Sequence, residues 1–350
     1  MSPPTSGPAV AGPSFPGDPV TGELASSAPG PFGPGAEGGR RGQGRLGDRL
    51  FGGAALGSGL TVVLLVTLIG VFLVSQALPA LARNQANFFT STEWVVSGDS
   101  PRFGIARLLW VTVLSSLMAL AIAVPLGMAV ALFLTQYAPR WLARPAAGAV
   151  DLLAAVPSIV FGLWGLRVLG PLTGGTQDFL RDHLGFIPLF SAGSVSSTTT
   201  IFLAGIVLAI MILPIITALS RDVFNQTPTT HKEAALALGA TRWEMIRTAV
   251  LPFGKPGVIS ASMLGLGRAL GETVAVMMLV SSLPAGSAWS WSLFGGGETF
   301  ASKIALGAGE FDTPEKTGAY IAAGLVLFVL TFIVNAIARV VIERRKAFTE

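Results

Sequence analysis

Residues 233–252 read EAALALGATRWEMIRTAVLP, and the spacing within this stretch decides how the rest of the chain is organised. Thr230 stands three residues before Glu233, and Thr241 three before Glu244. That is capping-box spacing, in which the Thr hydroxyl and the Glu carboxylate each satisfy an open backbone N–H at a helix start. Gly239 falls between the two boxes, where a residue able to take the left-handed conformation stops a helix. The segment therefore reads as helix, tight turn, helix, ending near Pro252. It lies between two long apolar runs, in the position of a lever between a membrane and a partner.

Of the 350 residues, 51% are hydrophobic and only 12% charged, whereas soluble domains carry about 25% charged residues. The chain is a membrane protein. Six stretches reach the roughly 20 apolar residues that a hydrocarbon core demands of a helix: residues 56–78, 105–135, 146–169, 199–219, 257–283 and 317–341. The expected fold is all-α, with six transmembrane helices in a permease domain over residues 46–346 and a coupling helix pair at 228–254. Residues 1–45 are rich in Pro, Gly and Ser and too poor in large apolar side chains to offset chain entropy. They are expected to form a disordered leader, either a plain solvated arm or a regulatory tail. Arg40, Arg41, Arg45 and Arg49 precede a full-length apolar run, unlike the flanks of a cleaved signal peptide.

Short loops rich in Lys and Arg stay in the cytoplasm. With the N-terminus inside, the inner segments hold fifteen basic residues and the outer loops five, Arg83, Arg102, Arg181, Lys303 and Lys316. Both termini and the Glu233 segment are thus expected in the cytoplasm. Trp94, Trp289 and Trp291 fall in the outer loops, where aromatic belts account for such residues and partner contact is the alternative.

The costliest residues to insert are Arg268 and Glu272, near the middle of the fifth stretch; an ionisable group there costs roughly 2.5 to 3.5 kcal/mol on insertion scales. Four residues apart, they would share one helix face. Either they pair with each other or they line the path of an anion, since a guanidinium fork matches phosphate-like oxyanions. Gly267 and Gly271 have the small-xxx-small spacing of close helix packing. Pro125, Pro157 and Pro214 interrupt their spans, and the break at Pro157-Ser158 is the best candidate to line a pathway, with Ser158 as its hydroxyl. Asp151 reads as a helix-end charge.

Cysteine is absent, and His183 and His231 fall on opposite faces, so no metal site is expected within the chain. The sequence has no G-x-x-x-x-G-K-[ST] cradle, so energy for any transport must come from a partner or an ion gradient.

Glu233-Ala234-Ala235, Gly239 four residues on and Leu251-Pro252 after the turn resemble the cytoplasmic EAA loop of bacterial ABC importer permeases; Ala249 stands where that family often has Ile. LLAAVPSIVFGLWG at 152–165 and GLGRALGETVAV at 265–276 are similar to the PstC-type permeases of phosphate importers, a likeness covering roughly residues 45–345. The resemblance implies the type I permease fold in a bacterial cell membrane, a PstA-like permease as heterodimer partner, two copies of a PstB-like ATPase that binds ATP and Mg, and a PstS-like external phosphate-binding protein. It implies that Glu233, Ala234, Ala235, Gly239, Leu251 and Pro252 couple to the ATPase, and that Arg268 and Glu272 lie on or beside the phosphate path. Glu233 also has a local role open to it, within its capping box.

Other readings are the same machine for sulfate or molybdate and a secondary transporter without an ATPase, which has no need of a doubly capped cytoplasmic pair. A DNA-binding helix-turn-helix is disfavoured by tethering between two spans, so no nucleic-acid partner is expected; membrane lipid surrounds the chain.

Overall fold

The computed structural model describes residues 46–98, 100–193, 198–284 and 286–346; the leader expected over residues 1–45 lies outside them. Contacts divide the chain at Leu60–Thr61. The described part of the first unit is the opening of α1 (Leu46–Arg83), and the second holds everything that follows. Its helices are α2 (Ala106–Leu132), α3 (Arg140–Ala154), α4 (Ser158–Trp164), α5 (Gly170–Leu184), α6 (Ile201–Asn225), α7 (Thr229–Ala237), α8 (Arg242–Met245), α9 (Leu251–Leu270), α10 (Val274–Leu279), α11 (Phe300–Leu306) and α12 (Pro314–Lys346). A small antiparallel pair, β1 (Trp94–Val95) with β2 (Arg102–Phe103), interrupts the otherwise helical chain between α1 and α2.

Among the described residues, five helical segments are long and apolar enough to cross a membrane, and the bent pair Arg140–Ala154 with Ser158–Leu184 brings the number to six if it counts as one crossing. The number expected from composition holds on that count, but the third and fifth crossings differ from straight rods. The third bends by 92°, because Pro157 takes an extended conformation (φ −59°, ψ 140°) ahead of α4. The fifth stops at Leu270 and restarts at Val274. Pro125 and Pro214, by contrast, sit inside the unbroken helices α2 and α6.

The core forms around α6, whose Leu203, Val207, Ile212 and Ile216 are fully buried. α2 packs along it most extensively, with α9 on another side. A continuous apolar cluster joins these helices to α4 and α10 through Phe161, Ala275 and Leu279. Apolar burial of this kind does not by itself drive helices together in lipid, so close packing must. Glycines on α4 and α9 supply it. A Cβ at Gly162 would lie 3.0 Å from the Ala275 Cα, one at Gly254 2.5 Å from the Phe224 ring, and one at Gly265 3.1 Å from Ile216. The pair expected to pack closely, Gly267 and Gly271, does not: nothing lies within 4 Å of a Cβ at Gly267, and Gly271 meets only the carbonyl of Gly267. Two residues from Gly265 is about 200° around a helix, so Gly267 faces the opposite way.

The end of the helices remote from α7 and α8, expected on the outside, carries a polar-aromatic cap. Trp94 packs against Phe103 and Tyr320 at 5.7 and 5.4 Å between ring centres, with the Lys303 ammonium 5.6 Å from its own ring centre. Lys303 also meets Glu298 at 2.9 Å, both side chains less than 20% exposed. Trp289 and Trp291 gather with Trp110, at 5.0 Å from each other and 4.7 Å between Trp110 and Trp291. These tryptophans pack against one another and their neighbours rather than standing singly, with Trp291 still half-exposed. Asp151 at the end of α3 lies 3.6 Å from Arg221 of α6, whose side chain is largely buried, so this helix-end charge ties the bent third crossing to the central helix.

Replacing Gly254 by Ala forces a methyl into the Phe224 ring, a small-to-large change that costs typically 1–3 kcal/mol. The detergent-solubilised Gly254→Ala chain is expected to melt several degrees lower than wild type by circular dichroism, and Gly267→Ala to melt unchanged.

Candidate functional site

Two regions gather the residues singled out in the sequence. The first is the polar segment between α6 and α9. Pro228, extended at φ −56° and ψ 135°, leads into α7, which starts at Thr229 without a side-chain cap. The capping box expected from Thr230 and Glu233 is therefore absent: the proline fixes the entry, and Thr230 is already inside the helix, where its hydroxyl cannot reach back to an open donor. The exit matches expectation. Gly239 has φ +84°, Gly239 N–H donates to the Leu236 carbonyl and Ala240 N–H to that of Ala235. This is the paired closure of a Schellman motif. The second capping box is complete, with Thr241 Oγ1 accepting from Glu244 N–H and the Glu244 carboxylate accepting from Thr241 N–H at 2.8 Å.

The second helix of the pair does not end near Pro252. α8 passes through a π-helical turn at Ile246–Val250 straight into α9, giving one helical rod over Arg242–Leu270. Proline cannot donate to the carbonyl four residues back and its ring crowds that carbonyl. The wider turn just before Pro252 shifts those carbonyls, with Leu251 N–H donating five residues back to Ile246, so the rod absorbs the proline instead of breaking.

The pair is anchored from above. Met245, Ile246 and Val250 are buried with Ala131 and Leu132 of α2, Phe224 of α6 and Val258 of α9, and Ala235 and Leu251 pack against this cluster. Glu233, Ala234, Gly239 and Pro252 are exposed. Beside them stand large apolar side chains in the open: Leu236 at 45%, Leu238 at 90% and Trp243 at 56% exposure. The EAA residues thus divide, with Ala235 facing the membrane helices and Glu233 and Ala234 facing away.

The second region is a cleft of about 950 Å3 between α9 and α12, lined by Ser260, Leu264, Gly267, Arg268, Asn335 and Arg339, among others. Arg268 lies in the last turn of α9 and is exposed to the cleft. Glu272 does not share its helix face. It follows Gly271 beyond the helix end, and its carboxylate accepts from Ala275 N–H at 3.3 Å, fastening the start of α10. No ion pair joins Arg268 to Glu272 among the described residues. Gly271 followed by an acidic residue three positions before Ala275 is a stop-and-restart pattern that the sequence contained. Ser158 opens α4 at the other break and is not among the residues lining the cleft; α4 instead packs on α10.

A protein-family profile described as "Binding-protein-dependent transport system inner membrane component" matches residues 123–347. The chain is 57% identical over 296 residues to the Mycobacterium tuberculosis protein named Phosphate transport system permease protein PstC 2, covering 84% of this chain and 91% of that relative. It is 41% identical over 290 residues to the Xylella fastidiosa protein named Phosphate transport system permease protein PstC, covering 80% and 87%. Among solved structures it is similar to a chain of the inward-facing MetNI methionine ABC transporter, 20% identical, with a TM-score of 0.45 and coverage of 69% of this chain and 94% of that one.

The turn geometry makes a specific demand on Thr241. Removing an N-cap costs about 1 kcal/mol, roughly a fivefold change in a local opening equilibrium. Hydrogen exchange of the amides at 242–246 is expected to quicken about fivefold in Thr241→Ala and to stay unchanged in Thr230→Ala, which has no cap to lose.

Proposed function

This chain belongs to the family of binding-protein-dependent transport system inner membrane components, and on that premise we propose that it works as the PstC-type permease subunit of an ATP-driven importer, carrying inorganic phosphate into the cell. The observation that carries the reading is 57% identity, over 84% of the chain, to a relative named for phosphate transport. The partners follow from it: a PstA-like permease beside this chain, two PstB-like ATPase subunits that bring ATP and Mg, and a PstS-like external protein that delivers phosphate. The inside-positive count supports cytoplasmic termini and a cytoplasmic α7–α8 pair.

Exposed apolar side chains on a short helix pair want a partner, and Leu236, Leu238 and Trp243 stand beside Glu233 and Ala234 on the face turned from the membrane helices. In this reading the ATPase takes that face. The Schellman closure at Gly239 and the box at Thr241 hold the pair rigid, and the rod from Arg242 to Leu270, 29 residues long and hence about 43 Å, carries its displacement to Arg268. ATP binding closes the ATPase subunits, the pair moves as a body, and access to Arg268 alternates between the two sides. Coupling requires only that ATP and the loaded binding protein prefer different states. Arg268 offers phosphate a guanidinium fork not occupied by a carboxylate.

Uptake of radiolabelled phosphate by the reconstituted complex, with and without ATP, tests the proposal. Arg268→Ala is expected to assemble and lose transport, and Glu233→Lys to lose ATPase binding by pull-down. Normal uptake by correctly inserted Arg268→Ala would remove that residue from the path. Uptake by this chain alone without ATP would end the importer reading, and preferred competition by sulfate or molybdate would move it to another oxyanion.

A further inference from the structure

The cleft beside Arg268 holds more anion-binding chemistry than that one residue. On α12, Asn335, Arg339 and Glu343 recur every four residues, so they form one stripe along the helix, and all three line the same cleft as Arg268 and Ser260 of α9. All five side chains are exposed to it. Among the described residues, neither Arg268 nor Arg339 is ion-paired, and Arg339 is not salt-bridged even to Glu343 one turn away. Two free guanidiniums lining one cleft raise a positive potential that an anion relieves, and an amide between them offers donors with no charge of its own.

Between α9 and α12 the chain passes through α10, a loop and α11, and α12 packs against α9; as successive crossings the two run in opposite senses. Along α12 the stripe descends from Asn335 through Arg339 to Glu343 towards the chain's C-terminal end. We propose that Asn335 and Arg339 form a second oxyanion station next to Arg268, taking the phosphate after Arg268 releases it on the way to the cytoplasm, with Glu343 marking the end of the stripe. This rests on the phosphate reading for the identity of the anion and on the inside-positive reading for the direction. The chemistry itself asks only for a tetrahedral oxyanion able to accept from two guanidiniums and an amide. The alternative for Arg339 is to snorkel to the headgroup layer, in which case it has no stake in the anion.

The absence of cysteine from the chain makes the test direct. In the full complex in nanodiscs without nucleotide, Asn335→Cys is labelled with a negatively charged methanethiosulfonate at increasing phosphate, and the rate is read on this subunit. Phosphate is expected to slow the labelling, and adding Arg339→Gln to raise the half-protecting concentration about tenfold, the loss expected for one charge-assisted bond; Arg339→Lys is expected to keep part of the protection. Labelling indifferent to both phosphate and sulfate, in a complex that still takes up phosphate with ATP, would overturn the station and leave the importer reading standing. Protection by sulfate but not phosphate would keep the station and overturn the choice of phosphate. Protection unchanged by Arg339→Gln would return Arg339 to the lipid interface.

Discussion

A membrane helix can be interrupted only where something other than lipid satisfies the freed backbone groups, and this constraint explains where the two interruptions of this chain lie. They fall at Ala155–Pro157 and Gly271–Thr273, and the half-helices that follow, α4 and α10, pack on each other. Gly162 brings the two backbones so close that a methyl there would touch the Ala275 Cα. Gly165 admits Val207 of α6 and Leu279 of α10 in the same way. The half-helices that follow the two breaks thus pack on each other with α6 behind both, while Ala155, Pro157 and Gly271 at the breaks themselves stay exposed. The Glu272 carboxylate completes the arrangement by fastening the first turn of α10.

The same constraint acts in the opposite sense at Pro252. There the chain keeps its helix, so that α8 and α9 form one rod; in the proposed importer this is what lets the α7–α8 pair act on the interior. A π turn accommodates the proline at the small cost of a wider ring, and Met245, Ile246 and Val250 bury themselves against α2 and α6. A hinge at that point would let the pair move without moving Arg268. Stiffness here and breakage after Leu270 are complementary: in the proposed mechanism the rod ends where its motion is converted into a change of access.

Much of this was legible in the residues. Hydropathy found the spans, Gly239 the turn, Thr241 and Glu244 the cap, and the EAA spacing the family. What composition could not show was the direction in which each proline and glycine would resolve. Pro252 and Pro157 read alike, yet the first is absorbed by a preceding π turn and the second follows a turn that leaves no such room. Gly265 and Gly267 are also alike in sequence; only the position of Ile216 on α6 decides that the first is a contact and the second an open wall. The four-residue spacing of Arg268 and Glu272 points to one helix face, but Gly271 between them ends the helix and turns Glu272 to the start of α10.

That placement of Glu272 matters for how an anion could pass. A guanidinium paired to a carboxylate on its own helix would be neutralised, and an oxyanion would have to displace the carboxylate before binding. With Glu272 engaged by the α10 backbone, Arg268 has no carboxylate partner among the described residues, and the cost of inserting such a group, roughly 2.5–3.5 kcal/mol at mid-membrane, is eased by its exposure to the cleft. Ser260 and Asn335 line the same cleft. In the proposed importer, an exposed guanidinium on an open cleft takes an anion without first displacing a carboxylate and releases it as readily, which is the balance that a carrier, unlike a receptor, has to keep.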